Sequence, residues 1–116
     1  MSKKLVLNKI EKESLEDFQE KLKEFKKEVV VCKLFGSRAR GEARKDSDFD
    51  ILLVTKNKEK IKDKIYEWSF DTLVDKGVDF SIKLYNQETY KKLNNPPTFF
   101  MRHISHDAID LWPEKS

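Results

Sequence analysis

Glycine is scarce here: Gly36, Gly41 and Gly77 are the only three in 116 residues. The first two have the spacing of a P-loop, yet Glu42-Ala43 stands where that motif requires Lys-Ser or Lys-Thr, which excludes it. Cysteine occurs once, so an internal disulfide is excluded, and Cys32 lies in an apolar run as a small core residue. The two histidines, His103 and His106, are three apart, but no cysteine or acid pattern completes a zinc site around them. They read as surface or partner-facing residues. No apolar run approaches the roughly 18 residues of a membrane span, and no signal peptide is visible, so a cytoplasmic protein is expected. Neither sign of charge is in large excess: the net charge of +3 argues against stable nucleic-acid binding. No repeat, low-complexity segment or domain boundary stands out. One domain over residues 1–116 is expected, with no room for a separate acceptor-binding domain.

What is present is charge and periodicity. Charged residues make up 39% and hydrophobic ones 38%, which suits a soluble protein with one thin core. Leu15, Phe18, Leu22 and Phe25 recur at helical spacing and predict a helix over 14–27, with Ser14 and Asp17 as its capping box. Residues 29–35 read as a buried strand. Ile61, Ile65, Trp68 and Thr72 or Leu73 mark the inner face of a helix over about 59–75, which Gly77 ends. Trp68 and Phe70 read as core aromatics of that helix. Val78, Phe80, Ile82 and Leu84 alternate with Asp79, Ser81 and Lys83 in a further strand. Residues 87–93 form a short helix broken by Asn94-Asn95-Pro96-Pro97. Thr98 caps a last helix, and 108–112 reads as a closing edge strand. The fold class is α/β: a small mixed sheet with helices packed mainly on one face.

The chemistry is concentrated in 29–54, VVVCKLFGSRARGEARKDSDFDILLV. Gly36 ends the first strand and lets the backbone bend and approach a ligand closely. Ser37 adds a hydroxyl and a free N–H where a short helix can begin. Arg38, Arg40, Arg44 and Lys45 surround the turn with positive charge, as a polyphosphate would require. Asp48 and Asp50 then stand i, i+2 on one face of the next strand, their Cβ atoms about 6–7 Å apart. Two such carboxylates suit a hard cation shared with phosphate oxygens. Asp46, Asp48 and Asp50 fit the opening of a calcium loop, but Ile51 and Asn57 replace its glycine and glutamate. An ordinary polar loop before a strand is the remaining bland reading.

Gly36-Ser37, ten intervening residues and Asp48-x-Asp50 resemble the signature of the nucleotidyltransferases of the DNA polymerase β superfamily. GSRARGEARKDSDFDILLV is similar to the minimal nucleotidyltransferases in particular. The resemblance implies the nucleotidyltransferase fold. It implies Mg²⁺ as cofactor and ATP as donor, with Gly36, Ser37 and Arg38 or Arg40 at the nucleotide. Asp48 and Asp50 become metal ligands, and Asp79 becomes the third carboxylate, a metal ligand and base toward the attacking hydroxyl. Asp46 reads as a turn residue. The resemblance further implies a partner, a HEPN ribonuclease toxin silenced by transfer of AMP to a tyrosine. The chain would then be a protein adenylyltransferase and antitoxin. Two other readings stay open: a binding module that neutralises its partner by contact, and a transferase acting on a small molecule or an RNA end. A homo-oligomer is also open.

Overall fold

The structure is a computed structural model that describes residues 5–42 and 47–112. The sequence expectations for Arg44, Lys45 and Asp46 lie outside the described residues.

Helix α1 spans Lys9–Glu24. It starts earlier than the hydrophobic stripe suggests, because the capping box is Asn8 with Glu11, not Ser14 with Asp17. Glu11 N–H donates to Asn8 Oδ1 at 2.8 Å, and Asn8 N–H donates back to Glu11 Oε1 at 2.9 Å. Ser14 lies buried inside the helix, where its hydroxyl donates to the Ile10 carbonyl. Asp17 instead accepts the Trp68 indole N–H at 2.8 Å.

Strand β1 (Val29–Phe35) leads through Gly36 into the single turn of helix α2 (Ser37–Arg40). Strand β2 (Phe49–Thr55) follows, then a 3₁₀ turn at Lys58–Lys60 and helix α3 (Lys62–Lys76), closed by Gly77. Strand β3 (Phe80–Asn86) runs directly into helix α4 (Gln87–Leu93). Thr98 caps helix α5 (Phe99–Asp107) by accepting the Met101 N–H, and strand β4 (Ile109–Trp112) closes the sheet.

The sheet order is β3-β2-β1-β4, with β2 parallel to β3 and β1 antiparallel to both β2 and β4. The alternation of β2 sorts the core. Phe49, Ile51 and Leu53 face the two long helices, packing with Phe18 and Leu22 of α1 and Ile65 of α3. Phe80 stacks on Phe49, and Trp68 meets Phe80 edge-on. Leu52 and Val54 point the other way and meet Met101 and Ile104 of α5 in a smaller cluster. The mixed α/β sheet thus carries its larger core under α1 and α3, while the shorter α4 and α5 cover part of the second face. Cys32 is fully buried in the larger core, where burial, with Asp110 adding to it, pushes its thiol far above the ordinary value. Phe70 departs from its sequence reading. It is exposed on the outer side of α3, because Trp68 and Thr72 already occupy the inner side.

The arrangement has one consequence for chemistry. β2 and β3 are parallel and start at the same end of the sheet, and β1 finishes there. Gly36, Asp48 and Asp79 therefore come to one end of the sheet, though 43 residues separate the first from the last by their numbers.

Candidate active site

Register places the carboxylates. Phe49 pairs with Phe80, and Phe49 N–H donates to the Asp79 carbonyl at 2.8 Å. Asp48 and Asp79 each stand one residue before their strands and so come side by side. Their carboxyls lie within hydrogen-bonding reach. Asp50 sits one pair further in, across from Phe35 on β1 and Ser81 on β3. Burial raises the Asp50 carboxyl above the ordinary aspartate value, and the Asp48 charge adds to that. Lys83 and Arg40 pull it down without cancelling the rise. Asp79 is raised too, first by burial, then by the Asp48 charge and the bond to Asp48. Among the described residues, no lysine or arginine forms an ion pair with any of the three. Acids this crowded, with Lys83 and Arg40 offsetting only part of the repulsion, are poised for a cation.

The donor set fits magnesium in a particular way. Among the described residues, no three His, Cys, Asp or Glu side chains form a ready-made cage. Mg²⁺ does not ask for one: it takes one or two carboxylates and completes its shell with water and substrate phosphate. Asp48 and Asp79, side by side, with Asp50 one pair further in, are the carboxylates that could enter such a shell.

Gly36 forms the turn beside the carboxylates. Its φ of 78° and ψ of −159° belong to a region that is essentially glycine-only. A Cβ there would run into Asp50 Oδ2 and sit 3.2 Å from Asp50 Cγ. The bare Cα is what allows the turn to close against the carboxylate. The first helical bond of α2 is Arg40 N–H to the Gly36 carbonyl, so the N–H groups of Ser37, Arg38 and Ala39 have no partner within the helix. No side chain caps this end. Gly36→Ala is expected to lower transfer at least about a hundredfold and to cost roughly 1–3 kcal/mol of stability. Gly41→Ala also has a positive φ, 73°, but meets nothing within 4 Å. It is the control, expected to lose only about 1–2 kcal/mol and to keep activity. Thermal melts beside a transfer assay check both.

The two arginines near the turn are placed differently. Arg38 is 6% exposed, with its guanidinium turned inward. Nε and Nη2 donate to the Ser47 carbonyl at 3.1 and 2.8 Å, and Nη2 pairs with Glu11 Oε2 at 2.8 Å. Its Cζ lies 4.4 Å from the centre of the Phe49 ring. Arg40 is more open. It pairs with Glu42 at 2.9 Å and Asp107 at 3.7 Å, and its charge is felt at Asp50. Sequence reasoning missed Glu11. One of its oxygens caps α1 and the other grips Arg38, and only the cap is readable, as Asn8-x-x-Glu11. A pocket of about 230 Å³ lies among Arg38, Asp48, Asp79 and Leu73.

His103 and His106 both line the outer face of α5. The His103 ring meets Phe99 edge-on at 4.9 Å, and His106 Nδ1 lies 3.1 Å from Asp107. Neither reaches a metal-binding cluster.

A model of the nucleotidyltransferase domain matches residues 11–106. The chain belongs to the nucleotidyltransferase domain family. The match spans α1 to α5 and so contains the turn and all three carboxylates of this transferase. Two solved structures share its fold. One, described as the toxin–antitoxin MntA-HpeT in mutant form, has a chain with a TM-score of 0.55 at 15% identity, over 84% of this chain and 72% of that one. Another, described as a toxin–antitoxin with AMP-PNP, gives 0.52 at 17% identity, over 86% and 71%. No curated protein matches the sequence. The nucleotidyltransferase fold and enzyme class inferred from the signature are thereby established.

Proposed function

We propose that this nucleotidyltransferase moves AMP from ATP to a tyrosine hydroxyl of a HEPN ribonuclease toxin and so acts as its cytoplasmic antitoxin. The observation that carries the transferase chemistry is the convergence of Asp48, Asp50 and Asp79 beside the Gly36 turn. The toxin–antitoxin reading is supported by the fold shared with the two toxin–antitoxin structures, one of them described with AMP-PNP.

Asp48, Asp50 and Asp79 would hold the magnesium. Mg²⁺, when bound, draws charge off the phosphate oxygens and the departing pyrophosphate. The backbone of Gly36 and Ser37 receives the triphosphate, and Arg40 faces its negative charge from the end of α2. Arg38 keeps the segment at Ser47 in place and does so from inside the protein. Asp79, side by side with Asp48, accepts the proton of the acceptor hydroxyl. That oxygen bonds to the α-phosphorus, the bridge to the β-phosphate breaks, and pyrophosphate leaves with the electron pair.

The acceptor needs a docking surface, and α3 offers one. Tyr66, Phe70, Leu73 and Val74 are all exposed on consecutive turns, and Leu73 also lines the pocket beside Asp48 and Asp79. An apolar row of this kind marks an interaction site. Phe70→Glu is expected to weaken partner capture tenfold or more while leaving the melting temperature within about 2 °C, because the side chain is already in water. Pull-down of the co-expressed partner checks it.

The deciding experiment uses α-labelled ATP, Mg²⁺ and extract of cells expressing the protein, with Asp48→Asn/Asp50→Asn as control. A labelled protein band with wild type alone supports the proposal. A labelled RNA or small molecule replaces the acceptor. Neutralisation of the partner that survives Asp48→Asn makes the protein a contact-only module.

A further inference from the structure

We propose that the cavity on the outer face of α5 is the seat of the nucleoside triphosphate's base and ribose. This rests on the nucleotidyl-transfer reading and names a subsite within it. The cavity holds about 550 Å³ and is lined by Arg40, Phe99, Arg102, His103, His106 and Asp107. It is a shallow depression open to solvent, suited to stacking a base on one face and not to enclosing it.

Phe99 is 79% exposed, more than any other large apolar side chain among the described residues. Its ring meets that of His103, itself exposed, edge-on at 4.9 Å, one turn further along α5. An aromatic face open to water is a platform on which a base can stack, and any base can use it. Phe100, the next residue, turns inward and packs edge-on against Phe35. Phe35 is the cross-strand partner of Asp50, so this part of α5 is anchored beside the reacting end of the sheet.

The link between cavity and phosphate turn is Arg40. It is the last residue of the helix that begins at Ser37. Its charge bears on Asp50, and its guanidinium reaches Asp107 on the cavity wall. Arg40 thus belongs both to the helix that opens at Ser37 and to the wall of the Phe99 cavity. Arg40 and Arg102 place positive charge on the cavity wall, as the triphosphate of the same nucleotide would require.

Calorimetry with a non-hydrolysable ATP analogue and with inorganic tripolyphosphate, both with Mg²⁺, tests the assignment. Phe99→Ala is expected to bind the ATP analogue about tenfold more weakly, the low end for one base on one ring. Tripolyphosphate, which has no base, is expected to bind both proteins equally. Phe99→Trp is expected to restore the analogue's affinity. Equal analogue affinity for wild type and Phe99→Ala overturns the proposal. So does an effect confined to the KM of the acceptor, which would give the cavity to the acceptor side chain. If wild type binds neither ligand, the nucleotide reading itself has failed, and the subsite with it. Phe99 buries almost nothing, so loss of fold does not obscure the comparison.

Discussion

Asparagine in place of Asp50 is expected to lower nucleotidyl transfer about a thousandfold or more, and at the same time to stabilise the metal-free protein. The first effect follows from the metal. Charge neutralisation by a bound cation contributes several kcal/mol to such a transition state, and each 1.36 kcal/mol is a factor of ten. Asparagine keeps the shape of the side chain and removes the charge that holds the ion. The second effect follows from what the carboxylate does without the ion. Burial and the Asp48 charge raise its proton affinity, so its ionised form is a burden on the folded chain. A carboxyl whose folded value lies above its unfolded one contributes its full stability below the unfolded value. That contribution is lost as pH rises through the folded value. At neutral pH the native Asp50 is therefore on its unfavourable side. Asp50→Asn is expected to raise the melting temperature in EDTA at pH 7 by about 2–4 °C at most, because solvent screens a carboxyl that is only partly buried. The gain is expected to shrink as pH falls through the raised Asp50 value toward the ordinary aspartate range. Added Mg²⁺ should reverse the order, stabilising wild type and leaving the variant unmoved. A melt series over pH, with and without Mg²⁺, reads all of this. A variant that melts below wild type in EDTA at pH 7 would show that Asp50 does structural work unrelated to a cation.

How far the chain explains itself differs between its two layers. Period-two and period-3.6 patterns gave the strands at 29–35 and 87–93's helix with their ends, because turn chemistry is local: Gly36, Gly77, Thr98 and the proline pair each act on the residues beside them. Within α1 the same logic misplaced the start. The apolar stripe begins at Leu15, but a cap need not touch the stripe, and Asn8 with Glu11 satisfies the first N–H groups two turns earlier. Phe70 failed for a related reason. Trp68 and Phe70 are two residues apart, about 200° around the helix, so only one can face the sheet, and Trp68 does. At the site, the Asp48-x-Asp50 pair and the glycine turn were legible because each is local. The approach of Gly36 to Asp50 depends on the pairing of Phe35 with Asp50, and the approach of Asp79 to Asp48 depends on the pairing of Phe49 with Phe80. Register carries both facts, and a single sequence does not state register. The α5 cavity was hidden for the same reason: His103 and Phe99 are readable as a helix turn, but their nearness to Arg40 belongs to the fold.

Arg38 shows the same limit, and its replacement should have the largest effect on stability. From the sequence it is one of several positive charges around an anion turn. In the fold it is a buried bracket that joins three elements: Glu11 on α1, the Ser47 carbonyl just before Asp48, and the Phe49 ring on β2. Removing one member of a buried, hydrogen-bonded ion pair leaves the other uncompensated and costs about 3–5 kcal/mol. Ordinary domains have only roughly 5–15 kcal/mol to lose. Arg38→Ala is thus expected to lower the melting temperature by 10 °C or more, or to unfold the protein at growth temperature. Arg38→Lys separates the two roles an arginine can have here. Lysine keeps the charge but has no planar fork, so it cannot grip Ser47 with two N–H groups and Glu11 at once. A bracket predicts that Arg38→Lys loses stability in the absence of nucleotide, by about 1–3 kcal/mol for the lost charge-assisted bonds. Its kcat should fall because the Ser47–Asp48 segment is no longer held. A phosphate contact predicts the opposite division: an unchanged melt without nucleotide and a raised KM for ATP. Glu11→Gln gives an independent view. It keeps an oxygen for the α1 cap while removing the charge opposite Arg38, so a cycle of Arg38→Lys, Glu11→Gln and the double variant should show coupling of about 1 kcal/mol or more. Additive effects would mean that Glu11 serves the helix cap alone, and that Arg38 is held by Ser47 and Phe49 without it.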